Sequence, residues 1–376
     1  MTYRPTKKFT ATIAGISAVA LVLTACSSSS TSSTSSSSAA GSSTAASAAA
    51  SGAESSAASS GSAAASTGGA ATLPATTDWC QHIKDTYPDI SGKTVGVYTT
   101  IVAPEDTPYI NSWKEFTECT GVTPTFEGTK EFEAQVIVRI QSGNPPDVGI
   151  FPQPGLLSQI VNSTGSVKPL TEDTKELGNE YFPEDWMNYG TVNDIQFAIP
   201  NNADFKSMVW YSPKTFAAKG YTVPTTWEEL TALTEQIAAT GEKPWCIGIK
   251  SGEATGWQIT DWLEEYVLRT AGPDVYDQWV NHEIPFNDPQ IAEALKQVGD
   301  LIKNPKYVNA GLGDVATIAS TEFNDVAPLI LNGSCTMARE AANFDSNYKS
   351  SKIGPDGDID GFYFPPISTD FGQVVL

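Results

Sequence analysis

The chain reads as an exported α/β protein whose sheets are mostly parallel. Three observations predict this. From Thr94 onward, short apolar strand-like runs alternate with helix-like runs. About 300 residues, from Leu73 to Leu376, carry an ordinary apolar content, enough for one large domain or two. From Ser27 to about Thr72, before them, the composition cannot build a core. TVGVY (94–98) reads as the first strand, followed by Ile110, Trp113 and Phe116 at helical spacing. VTPTF (122–126) precedes a second helix carrying Phe132, Val136 and Ile140. DVGIF (147–151) is a third strand, preceded by Pro145-Pro146. IQFAI (195–199), SMVWY (207–211) and WCIGI (245–249) follow as strands. Between the last two, Trp227, Leu230 and Ile237 mark a helix, with Thr225 or Thr226 as cap and Glu228 or Glu229 completing a capping box. Ile291, Leu295, Val298 and Ile302 mark another helix after Pro289. No internal repeat is found.

The N-terminus explains the export. Arg4, Lys7 and Lys8 are followed by a weakly apolar stretch from Phe9 to Ala25. A comfortable membrane span needs about 20 predominantly apolar residues, so the stretch reads as a secretory signal. It closes on Leu23-Thr24-Ala25-Cys26, which resembles the bacterial lipobox. That resemblance implies a signal over residues 1–25, cleavage before Cys26 and acylation of its thiol. From Ser27 to about Thr72 the chain is nearly all Ser, Ala, Gly and Thr. Such a segment has nothing to bury and stays a tether (residues 26–72), with an r.m.s. reach of roughly 35–40 Å.

Charge narrows the partners. The chain carries 22 Lys+Arg against 43 Asp+Glu, a formal charge of −21. Loss of the signal with its three basic residues leaves 19 against 43, or −24. Nucleic acid and anionic lipid are poor partners for that balance. With Cys26 acylated, Cys80, Cys119, Cys246 and Cys335 remain, and an even number in an exported domain implies two disulfides among three possible pairings. There is no CxxC, and His82 and His282 are the only histidines, so a zinc site or histidine triad has little material. No metal or cofactor is expected.

Several longer segments carry a resemblance: SGNPPDVGIFPQPG (142–155), FKSMVWYSPKTFAAKGYTVPTTWEEL (205–230), PWCIGIKSGEATGWQITDW (244–262) and NGSCTMARE (332–340). Together they resemble the solute-binding lipoproteins of carbohydrate ABC importers, the maltose-binding-protein-like class, and within it the α-glucoside-binding branch. The likeness runs from about Gly92 to the last residue. It implies a two-lobed periplasmic-binding-protein-like fold, with a first lobe over 73–204 and 345–376 and a second over 205–344. It also implies a protein that binds and releases without chemistry. Cys80 and Cys119 then belong to the first lobe, and Cys246 and Cys335 to strands of the second. Pairing within lobes, Cys80–Cys119 and Cys246–Cys335, is therefore expected.

A sugar has an apolar C–H face and a rim of hydroxyls, so its receptor needs flat aromatics and planar hydrogen-bonding groups. Nine tryptophans supply the first. Trp257 follows Gly256 at the start of a helix and is the leading stacking candidate, against a reading as a core residue near the cap. Trp245 matches a sugar-stacking position of the resembled family, with core packing an equal alternative; Trp262 reads as core. Phe151 and Gln153 follow a strand end, where open α/β sheets bind ligands, and keep the residue types of the family's sugar contacts; Pro154 does not. Lys206 lies where the chain first crosses between lobes. Arg339 and Glu340 follow the CTMA strand. A surface ion pair accounts for these three equally well. Asp261 either accepts from a hydroxyl or caps a helix turn. Thr99 and Thr100 end the first strand and offer hydroxyls or backbone N–H groups.

The expected protein is a lipid-anchored, monomeric solute-binding protein on the extracytoplasmic face of a bacterial membrane. It takes an oligosaccharide, an α-glucoside, to ABC permease subunits, closing about a hinge near Ala203–Lys206 and 339–350. The alternatives are a secreted glycoside hydrolase and a cell-surface carbohydrate-binding lipoprotein outside transport. GFYFPPISTDFGQVVL (361–376) reads as strand–loop–strand, returning to the first lobe. In the resembled family the chain continues beyond this point, so the second lobe is expected to be incomplete and its C-terminal part missing.

Overall fold

A computed structural model describes residues 76–311 and 315–376. The signal, Cys26 and the tether lie outside the described residues. The first sheet has the order β2-β1-β3 and is wholly parallel: β1 is Thr94–Thr99, β2 Thr123–Gly128 and β3 Val148–Ile150. Helices α1 (Thr76–Thr86), α2 (Asp106–Ser112), α3 (Lys114–Thr120), α4 (Phe132–Gln141) and α5 (Pro154–Thr164) accompany it. Tyr98, Phe132, Val136 and Ile160 form its buried core. The helical run through Ile110, Trp113 and Phe116 is two helices: Trp113 sits between them at φ −86° and ψ 0° and lies 5.8 Å from the Phe126 ring. Cys80 on α1 and Cys119 on α3 are disulfide-bonded, Cα–Cα 5.8 Å.

Next come α6 (Glu172–Tyr181), α7 (Glu184–Asn188) and a two-stranded hairpin, β4 (Thr191–Val192) with β5 (Ile195–Gln196). The strand expected over 195–199 is therefore two residues long. The chain then crosses to a five-stranded sheet of order β10-β6-β9-β7-β8, where β6 is Met208–Tyr211, β7 Trp245–Cys246, β8 Val308–Asn309, β9 Met337–Arg339 and β10 Asp360–Tyr363. This sheet is mixed: β6 runs antiparallel to both β9 and β10, while β7 is parallel to β8 and β9. Its helices are α8 (Pro213–Lys219), α9 (Trp227–Ala239), α10 (Trp257–Thr270), α11 (Pro273–Val280), α12 (Pro289–Ile302) and α13 (Ala327–Leu331).

α9 forms as its sequence dictates. The Thr226 hydroxyl accepts from Glu229 N–H, the Glu229 carboxylate accepts from Thr226 N–H, and Leu230, Leu233, Thr234 and Ile237 line the buried face. On α12, Ile291, Ala294, Val298 and Ile302 are buried, whereas Leu295 is exposed. Trp262 packs in the core, 5.4 Å from Trp245 and edge-on to it. Cys246 and Cys335 are disulfide-bonded, Cα–Cα 5.5 Å.

Within the segment 345–376, expected in the first lobe, β10 pairs with β6 from Asp360 opposite Tyr211 to Tyr363 opposite Met208. Phe364 also donates its N–H to the Ser207 carbonyl. Backbone pairing thus places this strand on the second sheet. No strand follows Tyr363 among the described residues.

Candidate ligand-binding cleft

The three parallel strands of the first sheet end on one edge, and the loops that follow them form one wall. Gly128 lets two of these loops meet: a Cβ there would lie 1.9 Å from the Ile101 carbonyl oxygen. Thr99 is fully buried, and its Oγ1 accepts from Ile101 N–H at 3.3 Å, so its hydroxyl shapes the loop. Thr100 beside it is half-buried. Phe151 packs edge-on against Phe132 at 5.4 Å and remains half-exposed. Gln153, exposed before α5, donates from Nε2 to both Glu133 oxygens, at 3.1 and 3.2 Å.

The second wall belongs to the second sheet and the crossing segment. Lys206 Nζ pairs with Asp261 Oδ1 at 2.9 Å and lies 5.6 Å from the centroid of the Trp257 ring. Asp261 Oδ2 takes Arg339 Nη1 at 3.3 Å, and Arg339 Nη2 reaches Glu265 Oε1 at 2.9 Å. Trp257, half-buried at the start of α10, meets Phe323 edge-on at 5.2 Å. The structure thus brings Lys206, Trp257, Asp261 and Arg339 into one cluster. Glu340 joins it as a buried neighbour. Burial pushes its carboxyl well above the ordinary range, the charge of Arg339 opposing and that of Asp261 adding.

Thr99, Thr100, Phe151 and Gln153 form a separate group on the first wall. Trp245 belongs to neither. It is fully buried, stacked into the core, and donates from Nε1 to Thr234 Oγ1 at 3.3 Å. Its flat face is therefore spent on packing, and the expectation of a sugar-stacking role there is corrected.

Several residues that sequence reasoning did not single out join the walls. Lys130, just after β2, pairs with Glu322 at 2.6 Å and stands 5.4 Å from the Phe323 ring; Glu322 also takes Lys250 at 2.8 Å. Gly252, at φ +56°, lies so near Lys130 and Glu131 that a Cβ would come within 2.8 Å of the Glu131 carboxylate. These contacts join the first wall to the second. Glu105, in the loop after β1, has its carboxyl pushed up to about 7, first by burial and then by Asp204. Burial also raises Asp204 in the crossing segment, and Tyr109 through burial and the same two acids. The rule that picked Thr99 and Thr100 from a strand end reaches Glu105 if extended by one loop. Nothing local marks Glu322, whose partners come from distant segments.

The two walls that meet thus bring aromatic faces beside buried carboxylates and fixed cations. Residues 100–373 match the family model described as bacterial extracellular solute-binding protein, and the chain belongs to that family. It is 37% identical over 300 residues to the alpha-glucosides-binding periplasmic protein AglE of Rhizobium meliloti, which covers 77% of this chain and 64% of that protein. It is 38% identical over 263 residues to the osmoprotective compounds-binding protein GgtB of Synechocystis, covering 69% of this chain and 61% of that protein. The chain thus spans less than two thirds of the length of these two relatives.

Among solved structures, the solute receptor AcbH, described as having an exclusive preference for β-D-galactopyranose, superposes with a TM-score of 0.59 at 20% identity, covering 75% of this chain and 68% of that one. A chitin oligosaccharide binding protein gives 0.59 at 22%, covering 74% and 68%. These likenesses show the fold, two-lobed and mixed α/β. Family and relatives are binding proteins and not enzymes, which sets the hydrolase alternative aside. No helix among the described residues is long and apolar enough to cross a membrane.

Proposed function

We propose that this protein captures an oligosaccharide, an α-glucoside, between the two walls and presents it to an ABC permease from the outer face of the cell membrane. The carrying observation is Trp257: a half-buried indole at a helix start, beside Lys206, Asp261 and Arg339. The indole offers a face for the sugar's C–H surface, and the charged groups offer planar partners for its hydroxyls. The α-glucoside assignment draws on the relative from Rhizobium meliloti. Thr100, Phe151 and Gln153 contribute from the first wall, and closure takes place about the segments near 203–206 and 339–350. Cys26, acylated, anchors the chain through its tether, and the protein works as a monomer.

A thermal-shift screen with maltose, trehalose and raffinose, run beside an assay for reducing-end release, tests the binding claim. A raised melting temperature without sugar cleavage is expected. A flat response across the panel rejects the α-glucoside assignment. For the anchor, Cys26→Ala is expected to release the protein into the medium or leave it unprocessed. Processed variant that still partitions into detergent like the parent refutes it.

A further inference from the structure

Asp261, Glu265 and Arg269 recur at four-residue spacing on α10, and all three are buried. Arg339, from the end of β9, bridges the first two. The second Glu265 oxygen pairs with Arg269 Nη1. Arg269 Nη2 then donates to the carbonyls of Phe364 and Val374, both at 3.1 Å, and its guanidinium lies 5.3 and 5.2 Å from the Tyr363 and Phe364 rings. At the other end Asp261 holds Lys206. Five charges therefore alternate in sign from the cleft wall to the strand-end segment after β10.

The row closes on itself. Lys206 N–H donates to the backbone oxygen of Leu376 at 2.9 Å, and Leu376 N–H donates to Ser207 Oγ at 2.8 Å. Tyr363 adds its hydroxyl to the Val374 carbonyl at 2.6 Å. Side-chain exposure is 0% at Glu265 and Arg269, 1% at Arg339 and 5% at Asp261, rising to 37% at Lys206. Such a buried row is a poor source of stability, since a well-packed apolar set serves as well. What it supplies is position, because each of the three inner members is held by a partner of opposite sign on either side and Arg269 is fixed at its end by two backbone carbonyls.

We propose that Glu265 and Arg269 are positioning residues for the cleft. Acting through Arg339 and Asp261 they fix Lys206 beside Trp257, and acting through Val374 and Leu376 they tie that placement to the neighbouring segments 206–207 and 374–376. The coupling needs no assumption about the ligand; its consequence for affinity rests on the sugar-binding reading above.

Residue-resolved amide exchange without ligand tests the coupling. Glu265→Gln keeps the shape and removes the charge. It is expected to speed exchange at the Lys206 and Leu376 amides at least tenfold, while α9 and α12 keep their protection. Faster exchange confined to α10 and β9 overturns the proposal. Should Glu265→Gln fail to fold, Lys206→Met probes the row from its half-exposed end. It is expected to shift the Arg269 Nε–H resonance, and an unmoved resonance overturns the proposal. Maltose titration supplies the second readout. Glu265→Gln should weaken binding about tenfold, and adding it to Lys206→Met should cost little more than Lys206→Met alone. Additive losses contradict positioning through Lys206. If the parent binds no maltose, the choice of that sugar fails, and the exchange and resonance measurements still decide the coupling.

Discussion

Trp245 and Trp257 lie twelve positions apart in one motif, and their surroundings give them different work. Trp245 is fully buried against Trp262. Trp245→Ala is expected to lower stability by about 3–5 kcal/mol, read from denaturant midpoints, as large-to-small core changes do. Trp257→Ala should leave the fold intact and cost binding instead. The sequence could not separate the two, because an aromatic next to a turn looks alike whether its face is covered or free. Only the neighbours Thr234 and Trp262, brought from other segments, decide it. Glu105 gives a pH signature. Its carboxyl is raised to about 7 from an ordinary 4.5, so the folded state binds more protons than the unfolded chain between those values. Its contribution to stability therefore falls as pH rises through that window, by roughly 1–3 kcal/mol. Glu340 and Asp204 are shifted the same way. Melting temperatures from pH 5 to pH 8 should decline, and Glu105→Gln should flatten part of the slope; an equal slope in the variant rejects Glu105 as its source.

At the scale of elements, periodicity and caps were the readable signals. Thr226 and Glu229 announced α9, and the structure has both halves of the box. Thr226→Ala is expected to destabilise by about 1 kcal/mol in a denaturant titration. Reading failed where a short apolar run had no partner strand within reach. IQFAI resembled a strand, yet only Ile195 and Gln196 pair, because β4 beside them is two residues long. The run through Trp113 kept helical spacing across a break at one residue, and its three apolar members differ in burial: Ile110 is exposed, while Trp113 and Phe116 are half-buried. The disulfides pair as the resemblance implied, Cys80 with Cys119 and Cys246 with Cys335. Replacing Cys246 and Cys335 with serine opens a loop of 89 residues and should cost about 4–5 kcal/mol by the loop-entropy model, seen as a lower melting temperature.

For the whole molecule, an alternating α/β pattern gave the class of fold, and the resemblance gave its two lobes. Which sheet receives a strand was not legible when its partner lay 150 positions away, as with β10 beside β6. The meeting of the walls at Lys130, Glu322 and Lys250 was equally hidden, since charge runs carry no address. The central claim is that a sugar lies against Trp257 between those walls. Isothermal titration of maltose and trehalose into the parent chain and into Trp257→Ala tests it most directly. The prediction is saturable heat with at least one sugar in the parent and a loss of at least ~2 kcal/mol, roughly thirtyfold in affinity, in a variant that melts as the parent does. Equal affinity in the two proteins, or no heat from either sugar, would contradict it.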